Sequence, residues 1–167
     1  MHRDFLNAGN PRRITGAYSR FLDPAEVRKI HNEAHVHVAA MYELGVVHYR
    51  FAIKIKSPQW RQKVSRLYYA SYNASKAVRF EGDGNYSTDS KDHSKVGKLP
   101  GAFPNKARYE NELQSLREDR NSCDYDHIVK AGDLISSSSD YSKLVKSFMV
   151  DAHVYLMGRG VALKRSI

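Results

Sequence analysis

Cysteine is almost absent: Cys123 is the single one in 167 residues. That excludes an internal disulfide framework and fits a reducing compartment. Long apolar runs are missing as well, and no stretch approaches the ~20 residues needed to span a bilayer. The opening MHRDFLNAGNPRR lacks the apolar segment of a secretory signal. No alternating pattern of strand length occurs, and no internal repeat. There is no phosphate-binding glycine loop either, since Gly82-Asp83-Gly84 is a lone turn with no Walker lysine after it. These absences predict a soluble, cytoplasmic, all-α protein with no metal and no cofactor. Its length suffices to bury about 70% of the unfolded surface without staples.

Acidic residues are missing from one long stretch. Between Leu44 and Phe80 there is no Asp or Glu, whereas Arg50, Lys54, Lys56, Arg61, Lys63, Arg66, Lys76 and Arg79 all fall there. The formal charge is +9 and the isoelectric point about 9.6. A polyanionic partner, RNA first, is the expectation, with Arg50, Lys54, Lys56, Arg61, Lys63, Arg66 and Lys76 as contacts. Eleven tyrosines add rings on which bases can stack. A solvated basic face, or one that docks an acidic protein, is the competing reading.

Prolines mark the helix starts. Asp23-Pro24 supplies an N-cap and a first-turn proline for one long helix to about Lys54, with apolar residues at Val27, Ile30, Ala34, Val38, Met41 and Phe51. Ser57-Pro58 repeats the signal for a second helix to about Glu81. Its inward face is Trp60, Val64, Leu67, Ser71, Ala74 and Val78, and its small residues invite close approach of a neighbour. A polar loop over 82–92 and a short segment to Leu99 follow. Pro104-Asn105 then opens a third helix to about Ser122. The last runs from about Asp140 to Met157, with Leu144, Phe148, Ala152 and Tyr155 inward, and ends at Gly158-Arg159-Gly160. The predicted architecture is an up-and-down bundle of four main helices plus a short helix. Residues 1–22 form an N-terminal arm, 23–160 the bundle and 161–167 a C-terminal tail.

The stretch Arg120 to His127 carries the chemistry. Tyr109, Leu113, Leu116 and Arg120 follow one helical face. Extending that phase by seven residues reaches His127, within about 20° of Arg120 and about 10.5 Å further along the axis. An arginine and a histidine on a core-facing stripe are costly unless paired or lining a cleft. The same spacing recurs at Arg28 and His35. Other candidates read as structural: His31 and His35 one turn apart without a third metal ligand, His93 as a cap or a neighbour of the Arg120 cleft, Tyr68, Tyr69 and Tyr72 as core or interface, and Cys123 as a buried small residue.

Three segments in order, RLYYASYNASKAV (66–78), HSKVGKL (93–99) and LREDRNSCDYD (116–126), resemble the HEPN family of small helical domains. The resemblance covers about residues 60–157. It implies a four-to-five-helix bundle, often dimeric across the arginine helices, and a metal-independent endoribonuclease of toxin or defence systems. It also implies a catalytic arginine, a polar residue and a following histidine, which fall on Arg120, Asn121 and His127, with Asp124 and Tyr125 in support. A homodimer would then bring two arginines and two histidines into one cleft. A nucleotidyltransferase partner is implied too, although Val129 stands where some members carry a modified tyrosine. A non-catalytic bundle binding a nucleotide, nucleic acid or such a partner is the alternative.

Overall fold

A computed structural model describes residues 10–87 and 89–167. It is all-helical, with no strand among the described residues. The helices are α1 (Pro11–Ala17), α2 (Pro24–Ala52), α3 (Trp60–Asp83), α4 (Lys106–Tyr125) and α5 (Ser138–Met157). Short 3-10 turns sit at Ser57–Gln59, Ser90–Lys95 and Ala131–Asp133. The first nine residues of the expected arm lie outside the described residues.

The Asp23 cap acts as read, whereas Ser57-Pro58 opens a 3-10 turn before α3 and Asn105 makes no side-chain cap to α4. The Asp23 carboxylate accepts the Ala25 and Glu26 N–H groups, and Glu26 accepts the Asp23 N–H in return at 2.9 Å. At α5 the Ser137 hydroxyl accepts the Asp140 N–H at 3.1 Å. Gly84 ends α3 with φ +67° and Gly160 follows α5 with φ +84°, conformations that favour glycine.

The central element is α3, which packs against α2, α4 and α5. It therefore buries Val64, Leu67, Tyr68, Ala70, Ser71, Ala74, Ser75, Ala77, Val78 and Phe80, more than a single stripe. The small residues do admit a neighbour: α2 passes so close at Gly45 that a Cβ there would lie 2.8 Å from the Ala70 carbonyl oxygen and 3.4 Å from the Ala74 nitrogen. Both are backbone atoms of a packed helix. Gly45→Ala is expected to destabilise by up to about 2 kcal/mol net, since overpacking at about 1–3 kcal/mol is offset by a helix-propensity gain of about 1. Urea unfolding reads this directly.

The apolar residues of α2 do not share one side. Val38, Tyr42, Val46, Tyr49 and Ala52 are buried, but Phe51 points outward and Val27 and Ile30 are only half-buried. Phe51 lies about 200° round the helix from Tyr49, so the two cannot share the core. The tail is not separate either, because Val161 is buried and Leu163 and Ile167 pack against the core.

Buried Glu81 ties both ends of the chain to α3. Arg12 of α1 pairs with it, and His35 Nε2 and Arg159 Nε stand 3.4 and 3.5 Å away. His31 Nε2 lies 3.3 Å from the Thr15 hydroxyl. His31 and His35 thus serve separate protein contacts, and Arg28 is exposed. Among the described residues no three His, Cys, Asp or Glu side chains gather as metal ligands would.

Candidate functional site: the Arg120 cluster

Arg120 leaves α4 toward α3 and keeps only 14% of its side chain exposed. One terminal nitrogen donates to the Tyr69 hydroxyl at 2.7 Å, and the other to Asn121 Oδ1 at 3.1 Å. Nε lies 2.8 Å from Asp124 Oδ2, although its N–H is out of line, so this contact is an ion pair and not a directed hydrogen bond. The guanidinium carbon sits 5.4, 5.3 and 5.8 Å from the ring centres of Tyr68, Tyr69 and Tyr125. Burial opposes the charge, but Tyr69 and Asp124 outweigh it and hold Arg120 above its usual pKa. Asn121, Asp124 and Tyr125 therefore all surround Arg120, with the Tyr125 ring exposed.

His127 does not share this helical face. Asp126 turns extended at φ −96°, ψ 111°, so α4 stops at Tyr125. Two features favour the stop. Asp126 Oδ1 accepts the Ile128 N–H at 3.0 Å, a local turn that competes with the helix. Arg61 also collects the carbonyls of Cys123, Asp126, His127 and Val129 at 3.0, 2.7, 3.5 and 2.6 Å. His127 is exposed beyond the helix end, and no hydrogen bond or ring contact joins its imidazole to Arg120.

The histidine that shares partners with Arg120 is His93, carried by the turn Ser90–Lys95. Its ring stacks on Tyr72 at 4.3 Å, and its Nδ1 is hydrogen bonded to the Tyr68 hydroxyl at 2.8 Å. That hydroxyl also donates to the His93 carbonyl at 3.4 Å. Both contacts are satisfied when Nδ1–H donates to Tyr68, which leaves the Nε2 lone pair free. Burial first, then Arg120, pulls the His93 pKa below 6.5, with Asp92 opposing. Burial and Arg120 both favour the neutral imidazole.

Asp92 anchors the turn. The Arg79 terminal nitrogens donate to its two carboxylate oxygens at 3.0 and 2.9 Å, and Tyr72 donates at 2.9 Å, all within the protein. No spacing rule marks the Arg79–Asp92 pair in the sequence, because thirteen residues and a loop separate them. Tyr69 was legible only as one of two adjacent tyrosines.

The basic stretch divides. Arg50, Lys54, Lys56 and Arg66 are exposed and Lys63 is half-exposed. Arg50 donates to the Ser166 carbonyl at 2.8 Å, and Arg66 lies 5.5 Å from the Phe51 ring. Lys76 is half-buried over Tyr86 at 4.5 Å, its pKa lowered by burial. Arg61 belongs to the 123–129 turn and not to an open basic face, since four carbonyls occupy its N–H groups. Arg79 is buried. Burial raises the Cys123 thiol to about 11, which keeps it protonated and unsuited as a nucleophile.

Among the described residues no helix is long and apolar enough to cross a membrane. Comparison with protein-family models, curated proteins and solved structures gives no match to this chain.

Proposed function

We propose that the chain is a HEPN-like, RNA-binding helical domain that cleaves RNA without metal at the Arg120 cluster. One observation carries the reading: a guanidinium fork and an imidazole meet around the same two tyrosines, Tyr68 and Tyr69, within one chain. In this chemistry a base takes the 2′-hydroxyl proton and the 2′-oxygen attacks phosphorus. The P–O5′ bond then breaks and the 5′-oxygen takes a proton from water, giving a 2′,3′-cyclic phosphate and a 5′-hydroxyl. Arg120 meets the charge that builds on the phosphoryl oxygens. His93 Nε2 takes the proton. Exposed Tyr125 offers a face to a neighbouring base. Each chain holds its own arginine and base, so activity does not require two copies to share a cleft. Toxin or defence roles, as the resemblance implies, suit such an activity.

A second reading keeps the fold and the ligand without the reaction. Asp124, Asn121 and Tyr69 together engage Arg120 from three sides, which suits a module that binds a nucleotide, an RNA strand or a nucleotidyltransferase partner.

Incubation of the protein with total RNA in EDTA separates these. Cleavage is expected, with a rate rising through a pKa below 6.5 and flat at neutral pH, as the lowered His93 value requires. His93→Gln is expected to lose about 10²-fold or more and His127→Gln little. Retention of RNA without cleavage supports the module. Loss at His127 alone returns the proton transfer to the sequence-expected histidine.

A further inference from the structure

Directly opposite the buried face of α2 runs a second apolar stripe. Val36, Ala40, Leu44, Val47 and Phe51 follow at steps of four, four, three and four, one helical face. Val36, Leu44, Val47 and Phe51 each leave 44–56% of their surface exposed. At about 100° per residue the stripe is centred about 180° from Val38, Tyr42 and Val46. The C-terminal tail runs along one flank without covering it: the Lys164 N–H donates to Glu43 at 2.9 Å, and Arg50 holds the Ser166 carbonyl. On the other flank His48 lies 5.7 Å from the Tyr69 ring.

We propose that this face pairs with the same face of a second copy, the two α2 helices running antiparallel about a two-fold axis. The order of residues favours that occupant. A crossing point between Glu43 and Leu44 sets Val36 against Phe51 of the second copy and Ala40 against its Val47, a small side chain opposite a larger one each time. The same register sets Glu33 against Lys54 at both ends. Neither makes an ion pair within its own chain among the described residues. The first part of α2 carries Glu26 and Glu33 beside Arg28 and Lys29, so the charge complementarity rests on Glu33 and Lys54 alone. Antiparallel pairing sets Glu33 against Lys54, whereas parallel pairing in register would set Glu33 against Glu33 and Lys54 against Lys54.

The stripe is about 22 Å long. That is short of the usual ~800 Å² per partner, so the dimer is expected to be reversible and to grow with concentration. It does not depend on RNA cleavage. It differs from a shared arginine cleft, because Tyr69 and Arg120 stay on the flank and remain open.

Sedimentation equilibrium of the full chain from micromolar to sub-millimolar concentration tests this. Mass is expected to rise from one chain to two. Leu44→Glu and Val47→Glu, at exposed positions, are expected to raise the dissociation constant at least about tenfold with unchanged circular dichroism. Leu44→Cys should cross-link to its own copy on mild oxidation, the native Cys123 being buried, while Val154→Cys on the outer face of α5 should not. A parent that stays monomeric overturns the proposal. So does a dimer that survives Leu44→Glu or cross-links through Val154→Cys.

Discussion

Arg120→Ala is expected to lower RNA cleavage by about 10²–10³-fold while leaving the helical content intact. The magnitude is that of removing one preorganised donor from a site where charge develops. The effect on the fold is small because the residue lies at the edge of the bundle. Its loss strands the Tyr69 hydroxyl and releases a partly exposed Asp124, a change of about 1 kcal/mol. Arg120→Lys separates charge from shape. An ammonium cannot reach Tyr69, Asn121 and a phosphate together, so the lysine variant should recover little activity although it keeps the charge. Single-turnover cleavage of a labelled oligoribonucleotide in EDTA, beside thermal melting, measures both effects. Full activity in either variant would remove Arg120 from the mechanism.

Asp92→Ala is expected to cost about 3–5 kcal/mol of stability, the largest loss foreseen for any single side chain here. Both members of its pair with Arg79 are buried, and deletion of one leaves an uncompensated guanidinium within the protein. Burial alone would raise the Asp92 carboxyl, but Arg79, Tyr72 and Lys76 outweigh it and hold the value below 3.8. A carboxylate depressed in the folded state contributes fully above its ordinary pKa. The contribution fades as pH falls through the native value, because the unfolded chain takes up the proton first. The parent should therefore lose stability below about pH 4. Asp92→Asn should be less stable at neutral pH and show a shallower acid limb. Urea unfolding across that range provides the comparison. The variant also frees the turn that carries His93, so its cleavage should fall in parallel.

Much of the fold was legible because it rests on local signals. Asp23-Pro24 and Gly160 act through hydrogen bonds and dihedral angles within a few residues, and each starts or ends a helix where expected. The Tyr109–Leu113–Leu116 stripe and the small residues of α3 were likewise readable from periodicity. The outward side of Phe51 was not legible, because periodicity reports two opposite apolar faces on α2 without saying which one the bundle covers. The candidate site divides along the same line. Asn121 and Asp124 are one residue and one turn from Arg120, so helix geometry alone brings them near it. His127 was placed by continuing that geometry past a point where Asp126 and Arg61 stop it. The contacts among Tyr69, His93 and Arg120 depend on how the 84–105 connection folds back on α3. The buried pair of Arg79 with Asp92 fixes that path, and no spacing encodes it.

The most direct measurement of the central claim follows side-chain resonances during titration of the protein with a short single-stranded oligoribonucleotide in EDTA. The Arg120 Nε–Hε signal and the His93 ring signals are expected to shift together with one dissociation constant, and that constant should weaken at least about tenfold in Arg120→Ala. Shifts confined to Lys54, Lys56 and Lys63, with Arg120 and His93 unmoved, would contradict the account.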